Sequence, residues 1–194
     1  MGRPREFEEA AVLDAAMECF WLNGYEATSI RDLIDKTGLT GASIYNAFGD
    51  KRSLYHKSLD RYVAVSIGDR IERCETLPPL DGIRLFLDEI VERSLSDPHC
   101  KGCMLVNASL EVAPHDPAFR AGVADVLSRM ERFFLTRVEL GQAQGTISSA
   151  LPAEVLAQHL LSCLMGIRVL ARVRPERALM EGALTGAMAL LRRE

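Results

Sequence analysis

The chain lacks the features that would place it among membrane-spanning or secreted proteins. Aromatic residues make up only 6% of its 194 residues, with one tryptophan, and 27 Asp and Glu outnumber 23 Lys and Arg. No apolar run reaches the ~18 uninterrupted residues of a membrane span; the richest stretch, 155–173, is broken by polar and cationic residues. The first residues contain no apolar signal region. We therefore expect a cytoplasmic protein with no membrane contact.

Motifs of catalysis and of nucleotide binding are also absent from the sequence. It has no G-x-G-x-x-G, no P-loop, no H-E-x-x-H and no nucleophile–base pair within a supporting motif. The sequence therefore predicts neither an enzyme nor a cofactor. The rival to a binding function is then a protein–protein module built from amphipathic helices alone.

A helical pattern runs through nearly the whole chain. Leucine, alanine and glutamate are plentiful and strict apolar–polar alternation is missing, so the fold class is all-α. Prolines and N-cap residues divide the pattern, with Asp116-Pro117 the strongest start signal. The nine predicted helices are 6–22, two short ones between 28 and 48, then 51–74, 80–96, 102–112, 117–144, 153–173 and 176–192.

The stretch from residue 25 to 55 is the most informative part of the sequence. Thr28 and Ser29 are good N-caps, and Gly38 stands where the first short helix must end and reverse, since only glycine takes positive φ without strain. Ile44 and Phe48 of the second short helix can pack inward and leave a polar outer face. This arrangement predicts a helix-turn-helix whose second helix enters the major groove of DNA.

Residues 1–55 closely resemble the N-terminal DNA-binding domain of the TetR family of bacterial transcription regulators. The matching landmarks, specific as a set, are Phe20, Gly24-Tyr25, Thr28-Ser29-Ile30, Ile34, Gly38, Ile44-Tyr45, Phe48 and Lys51. The resemblance implies an all-helical homodimer, with a three-helix DNA-binding domain at 1–50 and a six-helix effector and dimerisation domain at 51–194. It also implies that a small inducer releases the DNA.

The predicted DNA contacts fall into three groups. An N-terminal arm and a helix N-terminus would contact the DNA backbone, and the second short helix would contact the bases. The resemblance places phosphate contacts at Tyr45 and Lys51. The alternatives are a plain tail for the arm and, for Tyr45, a half-buried ring packed on helix 1. The predicted set is Arg3, Arg5, Thr28, Ser29, Thr40, Gly41, Ala42, Ser43, Tyr45, Asn46 and Lys51.

Two features argue for modest affinity. The net charge is −4, whereas a nucleic-acid binder usually presents a basic face. In addition, Gly41 stands where the commoner family pattern has a lysine, which removes one phosphate contact. Asn46 could still pair with adenine and Thr40 could touch a thymine methyl.

The effector end is marked by Cys100-Lys101-Gly102-Cys103-Met104. The Gly-Cys-Met segment resembles a TetR subgroup in which some members sense electrophiles or oxidants through cysteine. Lys101 and the following helix start would lower a thiol pKa, whereas the plain alternative is a buried apolar cysteine. Too few further ligands follow to predict a metal site. Candidate effector or redox residues are Cys103, Asn107, Glu111, His159 and Cys163, with Arg168 a further polar group on an apolar face.

The last two predicted helices favour dimerisation. Gly182 and Gly186, with Ala183 and Ala187, place small residues on one face, and Gly166 does likewise in the helix before. Two chains joined by such a four-helix interface predict a palindromic operator with recognition helices ~34–36 Å apart. The function predicted is a transcriptional regulator, in the first place a repressor. An activator is the alternative, since the choice between the two depends on operator position and not on this chain.

Overall fold

The computed structural model describes residues 8–192, and these residues form helices and no strand. The α-helices are α1 (Glu9–Asn23), α2 (Ile30–Thr37), α3 (Gly41–Phe48), α4 (Lys51–Val63), α5 (Asp69–Glu75), α6 (Pro79–Leu95), α7 (Met104–Glu111), α8 (Pro117–Ala143), α9 (Ala153–Val173) and α10 (Arg177–Ala189). With α4 and α5 counted as one rod, the described residues contain nine helices. The predicted all-α fold is confirmed.

The rod at 51–75 contains a departure that the sequence pattern did not predict. A π-helical segment, Ala64–Gly68, joins α4 to α5, so the wider turn shifts the helix register at mid-length. The Arg70 guanidinium donates to the Ser66 carbonyl at 2.6 Å and to the Glu89 carboxylate at 2.9 Å. Arg70 thus supplies a hydrogen bond to a carbonyl of the π segment and ties it to α6.

Helix ends follow the capping residues. The Ser29 side chain and the N3 residue Asp32 form a capping box at α2, and the Asp116 carboxylate accepts from two backbone N–H groups at α8. Gly38 ends α2 with φ 70° and leaves open space around it. The start of α1 was predicted too early, because Glu8 is extended (φ −78°, ψ 111°) and the helix begins at Glu9.

The first three helices pack on α4 around a small apolar core. Ala16, Phe20, Leu33, Ile44 and Leu54 are buried there. The core continues into the rest of the molecule through aromatic rings, which are listed by their contacts: Phe20–Tyr55 (4.9 Å between centroids), Tyr25–Tyr55 (4.9 Å) and Tyr55–Phe119 (5.3 Å). The helix-turn-helix end is therefore attached to α8 by a continuous cluster of aromatic rings.

Helix α9 is the apolar centre of the C-terminal part. By length and composition alone it could cross a membrane. In the structure one side of it packs against α6, α8 and α10 and carries the buried Arg168, while Val155, Val169 and Val173 on the other side are exposed.

Candidate nucleic-acid interface and effector site

Helix α3 presents a polar outer face. Thr40 is its N-cap, and the Thr40 hydroxyl accepts from the Ser43 backbone N–H and lies 2.9 Å from the Ser43 hydroxyl. Ile44 and Phe48 are buried beneath the helix. The exposed predicted contact residues on this helix and its cap are Thr40, Ala42, Tyr45 and Asn46. The 3.6-residue period that buries one face of α3 thus brings these four residues together on the other.

Tyr45 and Gly41 differ in how far they are exposed. Tyr45 is 48% exposed, so about half of its surface is open to solvent. A Cβ on Gly41 would meet Ile34 Cδ1 at 3.5 Å and Ile30 Cγ2 at 3.9 Å. Position 41 therefore faces α2 and not outward, and the prediction of Gly41 in the base-contacting set is corrected accordingly.

Only one of the two predicted cap residues of α2 is on the surface. Thr28 has 0% exposure and its hydroxyl donates to the Gly24 carbonyl at 2.6 Å, so Thr28 is a structural residue and its predicted phosphate contact is wrong. Ser29 is exposed, and its backbone N–H donates to the Asp32 carboxylate at 2.7 Å. A phosphate at this helix N-terminus would have to replace that carboxylate.

Lys51 begins α4 beside the α1–α2 turn. Its Nζ lies 4.5 Å from the centroid of the Tyr25 ring and 3.4 Å from the Glu26 carbonyl oxygen. The cation–π contact holds the ammonium near the end of the helix-turn-helix while leaving it partly exposed. Arg3 and Arg5 lie outside the described residues.

Two predicted effector residues have structural partners instead. The Glu111 carboxylate accepts the backbone N–H groups of Tyr25 at 3.0 Å and Glu26 at 2.7 Å, so it joins the end of α7 to the α1–α2 turn. The Asn107 amide donates to the Lys101 carbonyl at 3.1 Å. Both residues therefore have a structural role within the chain, and a contact with an effector stays a prediction for each.

His159 and Cys163 also fall outside the core cavity. His159 is exposed on α9, and the Cys163 thiol is half-buried and donates to the Ala183 carbonyl at 3.6 Å, between α9 and α10. Burial raises the pKa of the Cys163 thiol. Cys163 therefore behaves as a packing residue, and His159 belongs to the outer surface of α9.

Cys103 lies at one end of a buried polar chain. The Arg168 guanidinium donates to the Tyr62 hydroxyl at 2.9 Å and to the Ser94 hydroxyl at 3.1 Å, and the Tyr62 hydroxyl donates to Cys103 Sγ at 3.4 Å. Cys103 is 5% exposed and Arg168 is 7% exposed. Sequence reasoning did not identify Tyr62, because a tyrosine at an inward helical position gives no sign of a partner 41 residues away.

The Arg168 charge and the Tyr62 hydroxyl act on the pKa of the Cys103 thiol. Burial by itself would raise the pKa of the Cys103 thiol, but the Arg168 charge and the Tyr62 hydrogen bond outweigh burial and hold that pKa below its ordinary value. Burial likewise raises the pKa of the Tyr62 phenol, so Tyr62 stays a neutral donor. Cys103 is thus a buried thiol whose polar neighbours favour ionisation.

The cavity beside the hydrogen-bonded side chains of Arg168, Tyr62 and Cys103 is small. It holds about 20 Å³ between α4, α6, α8 and α9, room for about one water molecule. Its walls include Phe86, Ile90, Met130 and Leu164. A drug-sized ligand would have to open this core to enter. No group of three metal-ligating side chains lies close enough to hold an ion within residues 8–192.

The outer surfaces of α9 and α10 carry exposed apolar and small residues. Val155, Val169 and Val173 are each 46% exposed or more. A Cβ placed on Gly166, Gly182 or Gly186 would meet nothing within 4 Å. The fold of one chain therefore does not need glycine at these three positions.

Comparison with known families gives two matches along the chain. The family described as bacterial regulatory proteins, tetR family, matches residues 12–57, and the family described as tetracyclin repressor-like, C-terminal domain, matches residues 79–187. Together they contain the helix-turn-helix and most of the helices after the rod.

Comparison with individual proteins gives similarity over nearly the full length. The chain is 30% identical over 176 residues to the uncharacterised HTH-type transcriptional regulator YezE of Bacillus subtilis, covering 89% of this chain and 90% of YezE. It is 28% identical over 173 residues to the HTH-type transcriptional repressor ComR of Escherichia coli, covering 88% and 82% respectively.

Solved structures are similar over the same length. A cysteine-substituted form of the TetR family regulator CifR, in complex with 26-base-pair operator DNA, has a TM-score of 0.86 at 29% identity and covers 98% of this chain and 100% of that one. A TetR regulator from Chloroflexus aurantiacus has a TM-score of 0.82 at 28% identity, with 93% of each chain covered.

Proposed function

Because the chain belongs to the TetR family and is a DNA-binding transcriptional regulator rather than an enzyme, we propose that it is a cytoplasmic repressor released by an effector. The observation that carries this proposal is the polar outer face of α3, where exposed Thr40, Ala42, Tyr45 and Asn46 lie on a helix capped at its start and anchored by buried residues. A face of this kind offers hydrogen-bonding groups to base edges in the major groove.

The operator is proposed to be palindromic because the protein would bind it as a homodimer. Exposed valines and unneeded glycines on α9 and α10 support an interface through the last two helices, since small residues let two helices approach closely. A two-fold dimer presents its two recognition helices to matching half-sites about one turn of DNA apart, ~34–36 Å.

Release is proposed to follow from a change at the effector end that reaches α3 through the rod and through α7. The Glu111 carboxylate holds the α1–α2 turn by two backbone N–H groups. A shift of α7 would therefore pull on the turn that precedes the helix-turn-helix. Binding of DNA and binding of effector then favour two different arrangements of the same chain.

A thiol-reactive effector acting at Cys103 is the finer proposal, and it would place the chain in the subgroup with the Gly-Cys-Met/Leu segment. The Arg168–Tyr62–Cys103 chain supports it, because a thiolate is the reactive form of cysteine. Alkylation of a thiol in a cavity that holds one water molecule would force the surrounding helices apart.

The first test is selection of bound fragments from the source genome by the purified dimer, followed by salt titration on the enriched fragment. The proposal expects an inverted repeat whose affinity falls steeply with salt. The double variant Tyr45→Phe, Asn46→Ala should lose the enrichment, whereas the control Arg132→Gln on the exposed side of α8 should keep it. A folded dimer that enriches no fragment would contradict the repressor.

The sensor is tested by operator release with N-ethylmaleimide. Cys103→Ser should keep operator affinity and lose the release. Cys163→Ser is the matched control, because Cys163 is half-buried and burial raises its thiol pKa, so this variant should respond as the original protein does. Full release of the Cys103→Ser variant would exclude Cys103 as the sensor.

A further inference from the structure

A second, larger cavity lies on the other side of Arg168 from the core cavity. This cleft holds about 290 Å³ and opens between α1, the end of α6, the loop at 96–102 and α9. It is lined by Glu18, Trp21, Arg93, Ser94, Ser96, Asp97, Pro98, Lys101, Gly102 and Arg168. Its walls therefore come from both the predicted DNA-binding part and the predicted effector part of the chain.

Arg168 is a buried cation without a carboxylate partner in the described part of the chain. Its guanidinium donates to the hydroxyls of Ser94 and Tyr62, and it also interacts with the Cys103 thiol, whose pKa it lowers. A buried charge is costly unless an opposite charge accompanies it. Arg168 therefore provides a position where an anion entering the cleft gains binding energy.

The other charged groups of the cleft leave a net positive lining. The Glu18 carboxylate pairs with Lys101 Nζ at 2.7 Å, and the Asp97 carboxylate accepts the backbone N–H groups of His99 and Lys101 at 3.1 and 2.8 Å. Arg93 has no carboxylate partner in the described part of the chain and lies over the Trp21 ring. Both acidic groups thus have partners of their own, whereas Arg93 and Arg168 have no carboxylate partner among the described residues.

Trp21 supplies an aromatic surface beside these cations. The Arg93 guanidinium lies 5.6 Å and Lys101 Nζ lies 4.6 Å from its ring centroid. Trp21 Nε1 is buried and has no hydrogen-bond partner among the described residues. A ligand that brings an acceptor oxygen and an apolar body to this cleft would find partners for both.

We propose that the cleft binds a small organic carboxylate, with the carboxylate group against Arg168 and Arg93 and the apolar body against Trp21. Guanidinium groups match planar carboxylates through paired N–H donors. The Trp21 wall favours an anion that carries an apolar body, which inorganic phosphate lacks. A cleft of this volume suits a ligand the size of a benzoate.

Binding at this cleft gives the proposed repressor a route of release, and the inference rests on that proposed function. A carboxylate near Lys101 competes with Glu18 for the same ammonium group. Glu18 lies on α1, and Lys101 lies in the loop before α7. Loss of their ion pair separates α1 from that loop, which leads directly into Cys103.

The test uses the single tryptophan as the reporter, since Trp21 lines the cleft. The purified full-length protein is titrated with acetate, benzoate, inorganic phosphate and benzamide, and Trp21 fluorescence is followed. Benzoate should give a saturable change. Benzamide, which has the same shape without the charge, and phosphate should give none. No saturable change with either carboxylate would overturn the proposal, and an equal response to benzamide would overturn the role of charge.

Variants separate binding at the cleft from a general effect. Arg93→Gln and Arg168→Gln should each weaken benzoate binding by about tenfold or more, which is the loss of roughly one charge-assisted contact. Arg93 is exposed, so its variant keeps the test valid if Arg168→Gln does not fold. Arg132→Gln on α8 is the matched control and should bind as the original protein does. If Arg93→Gln and Arg168→Gln bind benzoate as tightly as the control Arg132→Gln, the assignment of the site is overturned.

A parallel titration on the selected operator keeps the two proposals apart. Operator binding that falls by about tenfold with saturating benzoate supports both proposals. Operator binding without any carboxylate response in fluorescence would contradict the cleft alone. A saturable fluorescence change in a protein that binds no DNA fragment would contradict the repressor and leave the carboxylate site supported.

Discussion

The outer faces of α3 and of the α9–α10 pair are both uncovered in a single chain, yet their chemistry is opposite. The α3 face presents hydroxyl, amide and phenol groups at Thr40, Asn46 and Tyr45. The α9–α10 face presents valines and bare glycine backbone. A surface that contacts DNA must offer donors and acceptors to base edges and phosphates, whereas a surface that meets another helix must exclude water. The same helical fold thus displays two partner preferences through side-chain chemistry alone.

Disrupting the α9–α10 face should have the largest effect on operator binding by the α3 face. We expect Gly182→Gln and Gly186→Gln to convert the dimer to monomers, because the new side chains would extend into the partner helix while meeting nothing in their own chain. Helix content should be kept, since glutamine is about 0.5–1 kcal/mol better than glycine in a helix. Loss of the second half-site should then lower operator affinity by about 100-fold or more. Sedimentation velocity and fluorescence anisotropy with labelled operator measure the two effects.

The matched control for this experiment is Gly122→Gln. Gly122 is also exposed on a helix and a Cβ there also meets nothing within 4 Å, but it lies on α8 away from the glycines of α9 and α10. It should remain dimeric and bind operator normally. Persistence of the dimer in both interface variants would show that the chains associate through another surface.

Changing one residue of the first face should have a smaller and more selective effect. Asn46→Ala should cost ~1–3 kcal/mol at the preferred operator and relax the choice of one base pair, because an amide can pair bidentately with adenine. Stability should not change, since Asn46 is exposed and its side chain makes no hydrogen bond within residues 8–192. Anisotropy titrations with the operator and its single-base variants provide the measurement. An equal loss of affinity for operator and for random duplex would mean that Asn46 contacts the DNA backbone and not a base.

The comparison of faces also indicates how far sequence alone could lead. The α3 face was predictable because its periodicity and caps are local, and Ser29, Gly38 and Asp116 set helix ends where expected. The inward direction of Gly41 and the burial of Thr28 depend on how α2 packs, which no local pattern specifies. The same holds for the π-helical segment at 64–68, whose residues read as ordinary helix.

Contacts between distant parts of the chain were the least predictable. Glu111 reaches a turn 86 residues before it, and Arg168 reaches Tyr62 across 106 residues. Glu111 and Arg168 were noticed in the sequence only as polar groups on helices with apolar faces. A single sequence gives the residue type at each end of such a contact but no distance between them, so the cleft and the coupling path required the structure.

Removing a single phosphate contact should separate the contribution of charge to DNA binding from that of base recognition. Lys51→Gln should weaken operator binding a few-fold and reduce the slope of log affinity against log salt by about 1, because one fewer counterion is released. Random duplex should be affected equally, in contrast to Asn46→Ala. Arg132→Gln again serves as the control and should keep the slope. An unchanged slope for Lys51→Gln would mean that the ammonium stays over the Tyr25 ring and does not reach DNA.

The smallest expected effect is at the contact between α4 and α8. There Arg52 of α4 pairs with Asp116 at the start of α8, with the charged atoms 2.5 Å apart. The Arg52 hydrogen bond, with backbone N–H groups of α8, lowers the pKa of Asp116 to about 2. Because the unfolded value is about 3.9, the pair stabilises the fold above about pH 4 and loses that contribution as the pH falls toward about 2.

Asp116→Asn should keep the helix cap, since asparagine caps as well as aspartate, and should lose only the ion pair. The free energy of unfolding, measured with urea across acidic pH, should therefore be slightly lower for the variant at neutral pH, with the difference closing below about pH 4. The effect should be small because Arg52 is 50% exposed and solvent screens the pair. If the free energy of unfolding of the two proteins runs in parallel down to the lowest pH, the carboxylate charge does not stabilise the α4–α8 contact. The stacked rings of Tyr55 and Phe119 then hold this contact alone.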